Sequence, residues 1–98
     1  MTAWAFADPE NTAVFTTRQV VEGLSPILLV THDEDDGAWQ FLFGTTDDLG
    51  DSRVVGLRAI VELDSSLVEL ADLPMGWAAR REGPEHSWVR QRQSSEAD

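Results

Sequence analysis

The sequence predicts an α+β fold: a single small domain with an antiparallel sheet of four to five strands and two short helices on one face. Three observations carry this. Trp39, Phe41 and Phe43 are spaced two apart, so a strand places all three aromatics on one face. Asp36-Gly37 immediately precedes them and signals a hairpin, because glycine takes positive φ freely and aspartate tolerates it better than most residues. Leu67, Leu70 and Ala71 recur at helical spacing after a capping pattern, and residues 53–63 carry apolar residues at helical spacing as well.

The elements follow in order. The first eleven residues hold the alternating pair Trp4 and Phe6 and end near Pro9, which suits a short edge strand or an arm packed on the domain. Residues 12–16 read as a first strand. Thr16 to Gly23 resembles one or two helical turns, with Thr16 as cap, Gln19 completing a capping box and Gly23 at the helix end. Pro26 opens a continuous apolar run, Ile27-Leu28-Leu29-Val30, that suggests a strand over 26–32 covered on both faces. It pairs with a strand over 38–43, leaving Asp33, Glu34, Asp35 and Asp36 at the tip of a central hairpin.

Residues 45–52 form a polar loop. The stretch 53–63 fits two periods. Val54, Leu57, Ile60 and Val61 match a helix capped by Ser52, while Val55, Leu57, Ala59, Val61 and Leu63 match a strand. Helix is favoured because Arg, Ala, Glu and Leu are good formers, although Gly56 costs a helix about 1 kcal/mol. A second helix over 65–72 begins at Asp64 or Ser65, with Ser66 and Glu69 in capping-box positions, and stops at Pro74. A strand over 75–81, a Gly83-Pro84 turn and a short strand near 87–90 complete the domain. The expected core is Val14, Phe15, Ile27, Leu29, Trp39, Phe41, Phe43, Leu57, Ile60, Leu67, Leu70 and Trp77.

A chain of 98 residues is expected to be one domain, spanning 1–92 with its N-terminal arm, followed by a flexible tail at 93–98. The net charge is −11, and no lysine is present. Such a surface disfavours nucleic acid and anionic membrane, both of which bind by phosphate neutralisation. It favours solubility and attracts a basic protein. With no cysteine, disulfides, thiolate chemistry, zinc ribbons and iron–sulfur clusters are excluded. Without a signal-peptide pattern or an apolar run of membrane-spanning length, a cytoplasmic location is expected.

Few residues pattern as chemistry. The acids Asp33–Asp36 fail the calcium-loop spacing: counted from Asp33, the residue where a bidentate glutamate belongs is Gly44. His32 beside Asp33 and His86 beside Glu85 would make a metal or acid–base pair only if the fold joins them. No G-x-S-x-G elbow, phosphate-binding glycine loop or dinucleotide fingerprint is present. Arg80, Arg81, Arg90 and Arg92 converge near the C-terminus. If the last two strands pair, Arg80 and Arg90 would share a face near Trp77 or Trp88, unless the surplus acids pair with them.

Three segments carry a family resemblance: Asp35-Asp36-Gly37-Ala38-Trp39-Gln40-Phe41, the run from Leu63 through Asp64-Ser65-Ser66-Leu67 to Pro74-Met75-Gly76-Trp77, and Trp88-Val89-Arg90. Their order and spacing over residues 12–90 resemble the immunity-protein-33-like family of bacteria (domain of unknown function 2185). Ser65 stands where that family usually has proline. The resemblance implies a small α+β domain with a toxin-neutralising or other protein-binding role, and it implies no catalytic residues. The expected function is therefore a non-enzymatic, cofactor-free module that binds a basic protein. Its expected surface is Asp33, Glu34, Asp35 and Asp36 together with Asp47, Asp48 and Asp51. The alternatives are a small metal-dependent hydrolase using His32 and His86, or a structural accessory protein.

Overall fold

The computed structural model describes residues 4–44 and 49–93. Six strands form one sheet: β1 (Ala13–Thr17), β2 (Leu29–His32), β3 (Trp39–Leu42), β4 (Ser52–Gly56), β5 (Trp77–Arg80) and β6 (Val89–Arg92). Their order is β4-β1-β3-β2-β5-β6. Two α-helices, α1 (Arg18–Val21) and α2 (Leu57–Leu63), and a 3-10 helix over Ser65–Leu70 supply the second layer. The α+β class stands. The sheet differs from expectation in having six strands and in being mixed: β1 runs parallel to β3, with Phe15 beside Gln40.

The central hairpin forms as expected. Val30 faces Phe41 and His32 faces Trp39 across the β2–β3 ladder. The Asp33 N–H donates to Ala38 O, and the Gly37 N–H donates to Asp33 O, which closes the turn. Gly37 holds φ at 73° there, a conformation that a side chain makes costly. β2 is shorter than the apolar run suggested: Pro26 and Ile27 lead into it, and Leu28 at its margin donates to Leu42 O and accepts from the Arg81 N–H.

The ambiguous stretch resolves as both readings in succession. Residues 52–56 are a strand along β1, and residues 57–63 are a helix. Gly56 sits at the junction, and α2 has no side-chain cap. Its first N–H groups are satisfied from elsewhere: Leu57 donates to Thr12 O at 2.8 Å and Arg58 to Glu10 O at 2.9 Å. The N-terminal arm therefore does the work of a cap. The same arm inserts Phe6 edge-on against Trp39 at 5.3 Å, and the Trp39 indole N–H donates to Asp8 Oδ1.

One expected cap shifts by one residue, and the other, at Asp64, is one of the two expected positions. Thr17, not Thr16, caps α1 by accepting from the Val20 N–H, and Gln19 turns away to Asp51. Thr16 is buried and donates its hydroxyl to Phe41 O at 2.6 Å, which ties β1 to β3. Asp64 caps the helix that follows, which is 3-10 rather than α.

Val20, Leu57, Ile60, Leu67, Leu70 and Leu73 pack with Val14, Val30, Trp39, Phe41 and Ala79 in one core. The strand residues in that set alternate onto a single sheet face, so the helices cover one side, as expected. Four expected core positions need correction. Phe15 is 41% exposed, because Val14 and Thr16 take the covered face of β1. Leu29 lies on the uncovered face and is half-buried, because Val30 points inward. Trp77 and Phe43 are half-buried and pack against the core without being part of it.

Candidate functional site

The acidic tip is built by the hairpin itself. The Asp33 carboxylate accepts the Asp35 N–H at 2.9 Å, and the Asp36 carboxylate accepts the Ala38 N–H at 3.0 Å. These two side chains fold the turn by the local hydrogen bonding that aspartate favours. Glu34, Asp35 and Asp36 are exposed, and no cation pairs with them among the described residues.

The Pro74-Met75-Gly76 segment braces the tip. The Gly76 N–H donates to His32 O at 2.7 Å. Gly76 is buried at φ 86°, and a β-carbon there would meet Glu34 Oε1 at 3.4 Å. Met75 is 57% exposed and reaches the hairpin turn, with its sulfur 3.5 Å from where a Gly37 β-carbon would stand. The result is an exposed acidic knuckle with one large apolar side chain beside it. Methionine is enriched at protein interfaces, and like-signed carboxylates steer a basic partner.

The rest of the expected acidic surface is elsewhere. Asp47 and Asp48 lie outside the described residues. Asp51 follows β3, whereas the tip precedes it, so the two sit at opposite ends of that strand. Asp51 is also engaged: Gln19 Nε2 donates to it at 2.6 Å and Arg18 Nε at 3.4 Å. The Gln19 bond first, and Arg18 with it, hold its carboxyl below the usual carboxylate range.

His32 and His86 are not brought together. His32 faces Trp77 at one end of β5, while His86 lies beyond Arg80 at the other. Three residues of strand separate those ends by about 10 Å before the following turn is counted. The His32 ring stacks on Trp39 at 3.8 Å, and its Nδ1 is 2.8 Å from Leu73 O, which fits Nδ1–H donation. Among the described residues, no group of three or more His, Cys, Asp or Glu is arranged to hold a metal ion.

The C-terminal arginines divide between the two faces of the sheet. β5 and β6 do pair, but Arg80 faces Val89 and Arg90 faces Ala79, so Arg80 and Arg90 point to opposite faces. Arg90 donates to Asp72 at 2.6 Å and to Glu69 O. Its guanidinium holds the Asp72 carboxyl below the usual range.

Arg81 is a structural clamp that the sequence did not single out from its neighbours. Its side chain is 2% exposed. It donates to Asp64 at 2.6 Å, Ile27 O at 3.0 Å, Ser66 Oγ at 3.1 Å and Pro84 O at 3.3 Å, and it lies 4.1 Å over the Trp88 ring. The nearest signal in the sequence was the Asp64-Ser65-Ser66 cap, whose acid needs a buried counter-charge if it is covered.

No family model, curated protein or solved structure matches the chain. No helix among the described residues is long and apolar enough to cross a membrane.

Proposed function

We propose that this chain is a non-enzymatic protein-binding module that engages a basic partner through the hairpin tip. One observation carries the reading: Glu34, Asp35 and Asp36 are displayed on a braced turn without a counter-cation, beside the exposed Met75. Several other acids, Glu10, Glu22, Asp51, Glu62, Asp64 and Asp72, already have arginine partners. The tip thus holds unpaired negative charge on a hydrogen-bonded turn, which favours fast, salt-sensitive association with a cationic surface. Nucleic acid is disfavoured by the same charge. The resemblance to the immunity-protein family supports a partner that binding would neutralise. The hydrolase alternative has no comparable support, because its two histidines stand apart.

The test is capture from the native host, with the wild-type chain and with E34Q/D35N as bait. Both substitutions spare the Asp33 and Asp36 carboxylates that fold the turn. A basic partner retained by wild type, and lost with the variant and with added salt, is the expected result. Equal capture of every partner by both baits would refute the tip as the binding surface.

A further inference from the structure

The face of the sheet opposite the helices points to a second interaction. Phe15, Leu29, Leu42, Val54 and Val89 all project there, and Phe15, Val54 and Val89 are 41%, 59% and 60% exposed. Register places them in continuous rows. Val54, Phe15, Gln40, Thr31, Ala78 and Gln91 run across all six strands, and Leu42, Leu29, Arg80 and Val89 form the next row. No strand residue on this face is acidic, although the chain carries 18 acids. Its charged strand residue is Arg80, which has no carboxylate within ion-pair distance among the described residues.

We propose that this face is the self-association surface of the protein and that its occupant is a second copy of the same chain, packed sheet against sheet. The arrangement of charge selects that occupant. The unpaired acids Glu34, Asp35 and Asp36 lie at one end of the central strands, and Arg80 lies at the other. A two-fold axis in the plane of the interface, perpendicular to the strands, reverses the strand direction of the second copy. Each acidic tip then overlies the Arg80 end of its partner, twice by symmetry, and the acid-free rows of apolar and neutral polar residues meet between them. A basic partner would meet Arg80 with like charge.

Area sets the strength. Six strands about 4.8 Å apart and four to five residues long give a flat face of about 24 by 15 Å. That is about half of the roughly 800 Å² per partner that a stable interface buries. The dimer is therefore weak, in the micromolar range, and its dissociation falls within the reach of sedimentation equilibrium.

The experiment is sedimentation equilibrium of the full chain from micromolar to millimolar concentration. The expected result is reversible growth from the 10.9 kDa monomer to twice that mass. F15E and V54E, each at an exposed position, should raise the dissociation constant roughly 100-fold, because each buries two unpaired carboxylates. R80E should weaken it by at least about tenfold and reverse the sign of its salt dependence, because carboxylates then oppose carboxylates. Far-ultraviolet circular dichroism must show all three variants folded, and three independent positions guard against the loss of any one. A wild-type chain that stays monomeric throughout overturns the proposal and leaves the face to a different partner. A dimer unchanged by F15E and V54E overturns it too, and places contact at the edge strands β4 or β6. The outcome is separable from the tip reading, since F15E and V54E leave Glu34, Asp35 and Asp36 intact for partner capture.

Discussion

Replacing Arg81 by methionine tests the clamp that joins the two layers. Methionine keeps the length and apolar contact of the side chain and removes every donor. Asp64 would lose its guanidinium partner at 2.6 Å, and the carbonyls of Ile27 and Pro84 would lose their donors. Breaking a buried ion pair by removing one partner costs about 3–5 kcal/mol. The low end applies, because the Asp64 side chain is 26% exposed and keeps its bonds from the Ser66 N–H and hydroxyl. A loss of about 3 kcal/mol is a large share of the roughly 5–10 kcal/mol expected of a domain this size. With a urea slope near 1 kcal/mol/M, the unfolding midpoint followed by tryptophan fluorescence should fall by about 2–3 M. Lysine should recover only part of this, since it cannot fork between Asp64 and Ile27 O or stack flat on Trp88. A double-mutant cycle with D64N isolates the pair, and the two substitutions should cost clearly less together than their sum. A midpoint shift under about 0.5 M for R81M, or additivity with D64N, would show that Arg81 is not a clamp.

Two further outcomes follow from single positions. Burial pushes the Asp64 carboxyl up, but the Ser66 hydroxyl, Arg81 and the Ser66 N–H outweigh it and hold the group below its ordinary value. Its contribution is therefore complete above about pH 4 and is lost as pH falls through the folded value. The stability gap between wild type and D64N, measured by urea midpoints, should stay constant from neutral to about pH 4 and narrow below it; a constant gap down to about pH 3 refutes the assignment. G37A should lower the melting temperature by about 5 °C, because φ at 73° strains a side chain by about 1 kcal/mol while the nearest atom, Met75 Sδ at 3.5 Å, is an ordinary contact. An unchanged melting temperature would mean that the turn relaxes freely.

What was legible in the chain was local. The hairpin could be read because Asp36-Gly37 and the alternation of Trp39, Phe41 and Phe43 act over a few residues, and the structure pairs Trp39 with His32 and Phe41 with Val30. The exposure of Glu34, Asp35 and Asp36 could be read for the same reason. Where two local patterns overlapped, at 53–63, neither period could win on its own. The choice came from a distance: β1 pairs with Ser52–Gly56, and the carbonyls of Glu10 and Thr12 start the helix at Leu57.

Tertiary structure decided the rest, because it depends on register between segments far apart in sequence. A one-residue slip flips a strand. Bonding of the Thr16 hydroxyl to Phe41 O turns Thr16 inward and Phe15 outward, and so makes the uncovered face apolar. The β5–β6 register divides Arg80 from Arg90, and the fold buries Arg81 against an aspartate 17 residues upstream. Alternation of side chains and the conformational freedom of glycine are properties of the chain itself. Which face of a strand meets the core, and which charges meet each other, exist only once the layers have closed.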